Sequence, residues 1–187
     1  MARPNATPNA PRMRVIGLAG WSGAGKTTLI TRVIPVLVRR GLKVATVKHA
    51  HHAFDVDQPG KDSWRHRQAG ASEVAIASSQ RWAIMHELRG EAELSLAEIL
   101  AKVTAVDLVI VEGFKRHAHP KLEVFRAAND KPLLHPDDDC IVAIATDAPL
   151  PQAQVPVVMF DDLEGIANIL QAEAVPCDRI GPPRDAV

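Results

Sequence analysis

A chain of 187 residues, 47% apolar and 24% charged, is long enough to bury a proper core in one domain. Its 22 Lys+Arg balance its 22 Asp+Glu, so no global field argues for nucleic acid or an anionic membrane, and any anion site has to be local. Two cysteines without CxxC spacing are poor material for a disulfide framework and point to a reducing, cytoplasmic setting, and no segment approaches the ~20 apolar residues of a membrane span.

The proline-rich start, "MARPNATPNAPRMR", lacks the apolar core of a secretory signal. Residues 1–12 and 174–187 read as flexible tails around one domain, 13–173. Between the tails, short apolar runs alternate with helical patterns. That is the signature of an α/β fold with a mostly parallel central sheet and helices on both faces. The first predicted strand is 14–19. A helix follows from near Gly25 to about Arg40, with Leu29, Ile30, Val33, Ile34, Leu37 and Val38 at helical spacing and Gly41 as its stop. Pro35 falls inside it, where it costs a hydrogen bond and bends the axis.

Residues 43–48 read as the second strand. A polar loop from Ala50 to about Asp62 leads into a short helix ending at Gly70. "EVAIAS" (73–78) and "RWAIMHE" (81–87) lie two residues apart and read as a hairpin. Residues 94–103 are helical, with Leu96, Ile99, Leu100 and Val103 on one face. "DLVIVEG" (107–113) is too apolar for an edge and is predicted central. "KLEVFRA" and "CIVAIATD" are further strands. "VPVVMF" precedes a last helix from about Asp162, where Asp161 and Glu164 have capping-box spacing.

The chemistry concentrates after the first strand, in "GWSGAGKTT". Gly20-x4-Gly25-Lys26-Thr27 matches the phosphate-loop pattern GxxxxGK[ST] completely and lies between a strand and a helix, as the pattern demands. Glycines let backbone N–H groups turn inward around phosphates with no Cβ in the way, and the helix that starts there adds its positive end. Lys26 reaches the β- and γ-phosphates, the Thr27 hydroxyl ligates Mg²⁺, and Thr28 is placed for the α-phosphate. Trp21, Ser22, Gly23 and Ala24 complete the candidate nucleotide-binding set, with Trp21 expected to pack on a neighbouring strand. The second metal-holding acid is Glu112, at the carboxyl end of the predicted central strand, where ligands bind in open α/β sheets. A solvated strand-end carboxylate is the plain alternative.

For the base, the chain lacks the N/TKxD pattern of GTPases, and "ANDKP" (128–132) has similar letters in the wrong order. Asp147, ending "AIATD", is the candidate reader of guanine N1–H and the exocyclic amine. It serves equally well as a turn aspartate before Ala148-Pro149. The stretch 48–71 carries Asp55, Asp57 and Asp62, candidates to order an attacking or metal-bound water, and Lys61, a candidate anion contact. His49, His51 and His52 could bind a transition metal, or the whole stretch is a solvated charged loop.

Together, "GWSGAGKTTL", "KHAHHAFDVDQPGKDSWRHRQAGA", "SSQRWAIMHE" and "DLVIVEGFK" make the chain resemble the MobB family of molybdopterin-guanine dinucleotide biosynthesis adapter proteins, from about Arg14 to Leu170. The resemblance implies a P-loop NTPase-type fold of the GTPase class, a homodimer, and GTP binding with Mg²⁺ and slow hydrolysis. It also implies a role assisting the guanylyltransferase that joins GMP to the molybdenum-loaded pterin, with a molybdopterin-type ligand and the molybdenum insertion enzyme as further associates. Neither nucleic acid nor membrane enters that role. Carried over by position, the phosphate role falls on Gly23, Ala24, Gly25, Lys26, Thr27 and Thr28, and the metal role on Thr27 and Glu112. Catalysis falls to Lys26 and Glu112. Asp57 and Asp62 are implied in catalysis or in pterin contact. Arg65, Arg67, Lys115 and Arg116 are the candidate arginine-finger-type cations. Two rival functions share the cradle: a nickel-type metallochaperone GTPase, suggested by the histidines, and a small-molecule kinase using ATP.

Overall fold

The computed structural model describes residues 13–50, 54–115 and 117–181. It divides into two compact units: one holds the described residues up to His49 and from Ser95 onward, the other is Ala50–Leu94. A single domain over 13–173 was expected. Within the second unit, the helix buries no residue and the two strands bury only Val74.

In the main unit, β1 (Arg14–Ala19), β2 (Val44–Lys48), β5 (Leu108–Glu112), β6 (Lys121–Phe125), β7 (Ile141–Thr146) and β8 (Val157–Met159) form a parallel sheet in the order β2-β5-β1-β6-β7-β8. β5 is central, as its apolar run requires, and is fully buried until Glu112. Helices α1 (Lys26–Arg39) and α4 (Leu163–Glu173) cover one face, burying Leu29, Val33, Leu37, Ile166 and Leu170 against Ile16, Ile110 and Leu122. Helix α3 (Leu96–Lys102) covers the other, placing Leu96 and Leu100 against Val15, Val109 and Val111. Each face removes a contiguous apolar layer from water, the main favourable term for the fold.

Local signals explain the helix ends. Gly41, with φ +85, closes α1: its N–H donates to the Val38 carbonyl oxygen and that of Leu42 to Leu37, the Schellman pattern. Ser95 and Glu98 form the capping box of α3. The cap of α4 differs from the expectation. Asp162, not Asp161, accepts from the Gly165 N–H at 2.8 Å, which leaves Asp161 to pair with Arg32 at 2.9 Å. Pro35 lies within α1, whose apolar stripe runs on past it.

The presumed C-terminal tail is also corrected. Val175–Pro176 form β9, antiparallel to β1 through Val15↔Val175 and Arg14↔Pro176, and Ile180 is buried in the second core layer. Arg14 ties this return strand down, donating to the carbonyl oxygens of Gln171 and Ala174. Residues 1–12 and 182–187 of the expected tails lie outside the described residues.

The second unit contains α2 (Asp62–Gln68) and the predicted hairpin, β3 (Glu73–Ala77) and β4 (Trp82–His86), paired antiparallel through Ala75↔Ile84. Arg67 organises it, bonding Asp57 at 2.8 and 3.3 Å and Asp55 at 2.6 Å.

Candidate functional site

The phosphate loop leaves β1 at Gly20. There φ is +143, and an added Cβ would come within 2.5 Å of the Val124 carbonyl oxygen, so only glycine fits. Gly23 and Gly25 also take positive φ, +80 and +95. The first α1 hydrogen bond from N–H to carbonyl runs from Leu29 to Gly25, at 2.8 Å. The amides of Lys26, Thr27 and Thr28 therefore precede the helix's own ladder and are free to face an anion. No acidic residue occupies that first turn. Ala24 is buried in the core and braces the loop from below.

These residues enclose a cleft of about 420 Å³, lined by Ser22, Gly23, Gly25, Lys26, Thr27, Thr28, Lys48 and Glu112. Sheet register creates it: Glu112 lies level with Leu18 on β1 and with Lys48 on β2, so three strand ends open on one edge. The Lys48 ammonium is 3.9 Å from the Glu112 carboxylate. Burial lowers the Lys26 pKa below the usual lysine range; Glu112 opposes that shift, and Lys115 and Lys48 add to it. A hydroxyl and a carboxylate facing one cleft, with amides and two ammonium groups beside them, match the donor set that a magnesium-bound polyphosphate requires. Lys48 is the residue that the motif did not announce. Its position at the carboxyl end of β2 was the available signal.

The remaining predicted residues fall elsewhere. The Trp21 indole Nε1–H donates to the Pro132 carbonyl oxygen at 2.8 Å, and Lys115 lies 6.0 Å above its ring. Asp147 follows β7, where its carboxylate accepts from the Ala127 N–H at 3.0 Å and lies 3.9 Å from Arg126. Arg126 was missed by the sequence reading. It follows β6, rests 5.4 Å from the Phe160 ring and stands beside Gly25. Asp57 and Asp62 belong to the second unit, where Asp57 is committed to Arg67 and Asp62 opens α2; Lys61 precedes that helix. Arg67 itself is held by Asp55, Asp57 and Glu87. His49 stacks 4.7 Å from Phe114. His51, His52 and Arg116 lie outside the described residues, among which no group of three or more His, Cys, Asp or Glu is placed to hold a metal ion. No helix among the described residues is long and apolar enough to cross a membrane.

Residues 15–147 match the family model MobB, molybdopterin guanine dinucleotide synthesis protein B. The chain is 41% identical, over 83% of its length and 90% of the relative's, to the molybdopterin-guanine dinucleotide biosynthesis adapter protein of Escherichia coli. It is 44% identical, over 73% of its length and 76% of the relative's, to that of Haemophilus influenzae. A crystal structure of molybdopterin-guanine biosynthesis protein B superposes with a TM-score of 0.67 at 29% identity, covering 84% of this chain and 98% of that one. The fold is thus of the P-loop NTPase type. The phosphate loop, Glu112 and Asp147 all fall inside the matched stretch, and the chain belongs to the MobB family, the adapter proteins of molybdopterin-guanine dinucleotide biosynthesis.

Proposed function

We propose that this protein binds GTP with Mg²⁺ in the phosphate-loop cleft, hydrolyses it slowly, and assists the guanylyltransferase step of molybdopterin-guanine dinucleotide synthesis in the cytoplasm. One observation carries the reading: the loop amides, Lys26, Thr27, Lys48 and Glu112 converge on one cleft of about 420 Å³. In this reading the amides and the two lysines hold the triphosphate, and Thr27 and Glu112 hold the metal. The metal supplies charge neutralisation at the phosphates and a fixed geometry for the attacking water. Among the described residues, Glu112 is the only carboxylate lining the cleft, so one group would have to serve both metal and water. That supports slow turnover, with the guanylyltransferase or the molybdenum insertion enzyme as the partner that completes the site.

Homodimerisation is part of the proposal. A two-stranded sheet is marginal alone in water, and β3–β4 expose Ile76, Trp82 and Ile84. A second copy would cover that apolar area. Sedimentation velocity on Trp82→Ser/Ile84→Ser protein, expected to run as a monomer, checks it.

The functional test is a calorimetric titration with GTP, ATP and molybdopterin, magnesium present, on wild-type and Lys26→Ala protein. GTP uptake lost in the variant supports the reading. Preference for ATP would favour the kinase alternative, and no uptake of either nucleotide would end the nucleotide reading.

A further inference from the structure

We propose that residues 126–139 form a strap that fixes the phosphate loop from outside, and that buried Glu123 is the positioning residue holding the strap. The inference rests on reading that loop as a nucleotide cradle, and goes beyond it by naming what presets the cradle's shape.

β6 lies between β1 and β7, so its side chains should be apolar on both faces. Yet Lys121 and Glu123, two residues apart on one face, are 2% and 0% exposed. Burying such charges is costly unless each is paired and hydrogen-bonded. Both reach the strap, and Lys121 also donates to the Lys115 carbonyl oxygen at 3.2 Å. The two carboxylate oxygens of Glu123 accept from the backbone N–H groups of Leu134 at 2.7 Å and His135 at 2.9 Å. The Lys121 ammonium reaches Asp138 at 2.9 Å. These are charge-assisted bonds, stronger than neutral ones.

The other side of the strap holds the loop. Pro132 takes the Trp21 indole N–H at 2.8 Å, and the Asn129 amide donates to the Ser22 carbonyl oxygen at 3.3 Å. Asn129 is also the group nearest the open side of Gly23. The circuit closes through the sheet, because Glu123 lies in register with Ala19, the residue before Gly20. A glycine-rich loop has many conformations available, and ordering it on binding subtracts from affinity. A strap bonded at both Trp21 and Ser22, and clamped to the sheet by Glu123, removes that ordering step beforehand. Glu123 then sets nucleotide affinity without touching nucleotide.

The test uses Glu123→Gln, which presents an amide donor where two N–H groups need acceptors, and Trp21→Phe, which deletes the strap bond while keeping an aromatic ring beneath Lys115. Each should weaken GTP binding by about tenfold, and the double variant should bind no more weakly than the worse single, since both break one circuit. In a Trp64→Phe/Trp82→Phe background, Glu123→Gln should also shift Trp21 emission to the red without added nucleotide, read well below the variant's melting midpoint, where unfolding does not contribute a red shift of its own. Unaltered GTP affinity in Glu123→Gln, or losses that add in the double variant, would overturn the proposal. Should Glu123→Gln fail to fold, Trp21→Phe/Asn129→Ala takes its place on the surface: weakened GTP binding supports the strap, and unchanged binding refutes it. Failure of the cradle reading shows separately, as wild-type protein that takes up no GTP.

Discussion

The Lys26 ammonium donates to the carbonyl oxygen of Gly20 at 2.8 Å, folding the side chain back across the loop that carries it. A second bond, to the Trp21 carbonyl oxygen at 3.0 Å, fixes its direction. Lys26→Ala should therefore reduce GTP affinity by about 10- to 100-fold, the range for losing a charged hydrogen-bond donor, and leave the thermal midpoint nearly unchanged. Calorimetry and a melting curve on the same sample check both halves.

Glu112 ends a strand that is otherwise fully buried and faces Lys48 across the cleft. Glu112→Gln keeps the shape and removes the charge that would hold magnesium. Single-turnover GTP hydrolysis should fall more than GTP binding does. Equal losses in both would show that the carboxylate serves binding alone.

Asp147 permits a clean substitution. Its asparagine variant retains an oxygen to accept from the Ala127 N–H, so the strap's second residue keeps its acceptor while the charge near Arg126 disappears. Competition between GTP and ATP should shift toward ATP in Asp147→Asn. An unchanged preference returns Asp147 to the role of a turn residue.

Stability should fall in mild acid, and His119 is one cause. Burial, with Lys121 nearby, takes its pKa from 6.5 to about 4, and its Nε2 has no hydrogen-bond partner among the described residues. Between those values the unfolded chain binds more protons than the folded one, so stability rises with pH across the window and is lost on acidification from 6.5 toward 4. That difference corresponds to about 3 kcal/mol. Glu123 acts in the opposite sense: burial raises its carboxyl above the usual value, against the backbone donors of Leu134 and His135, so its contribution falls as pH rises through that raised value. Urea unfolding of His119→Leu protein should show a flatter pH dependence between 6.5 and 4.

Gly20→Ala probes the cradle's backbone. The positive φ and the Val124 carbonyl oxygen 2.5 Å from an added Cβ leave no relaxed position for a methyl group. Strain of about 1–3 kcal/mol should appear as a lower melting temperature, together with lost nucleotide binding. A stable variant with normal affinity would contradict the loop geometry.

The first strand, the phosphate loop, the Gly41 stop, the β3–β4 hairpin and the central place of β5 were legible in the chain. Each depends on contacts within a few residues, or on an apolar run that admits one burial state. Glu112 was legible for the same reason, as the polar end of such a run. The Asp162 cap was misplaced by one residue, since Asp161 and Asp162 offer the same chemistry and only the bond to Gly165 separates them. The 174–176 segment looked like a tail because its pairing partner, β1, lies 160 residues earlier.

Local order thus determined that this protein has a glycine-rich loop of the phosphate-loop pattern and an α/β sheet, because turn geometry and hydrophobic period are written in neighbouring residues. Tertiary structure decided the rest: Lys48 beside Glu112, Arg126 beside Gly25, and the strap from Glu123 to Trp21. Those pairs are joined by sheet register and by buried charge across long stretches of chain, and no local pattern encodes which distant polar group a buried carboxylate will meet.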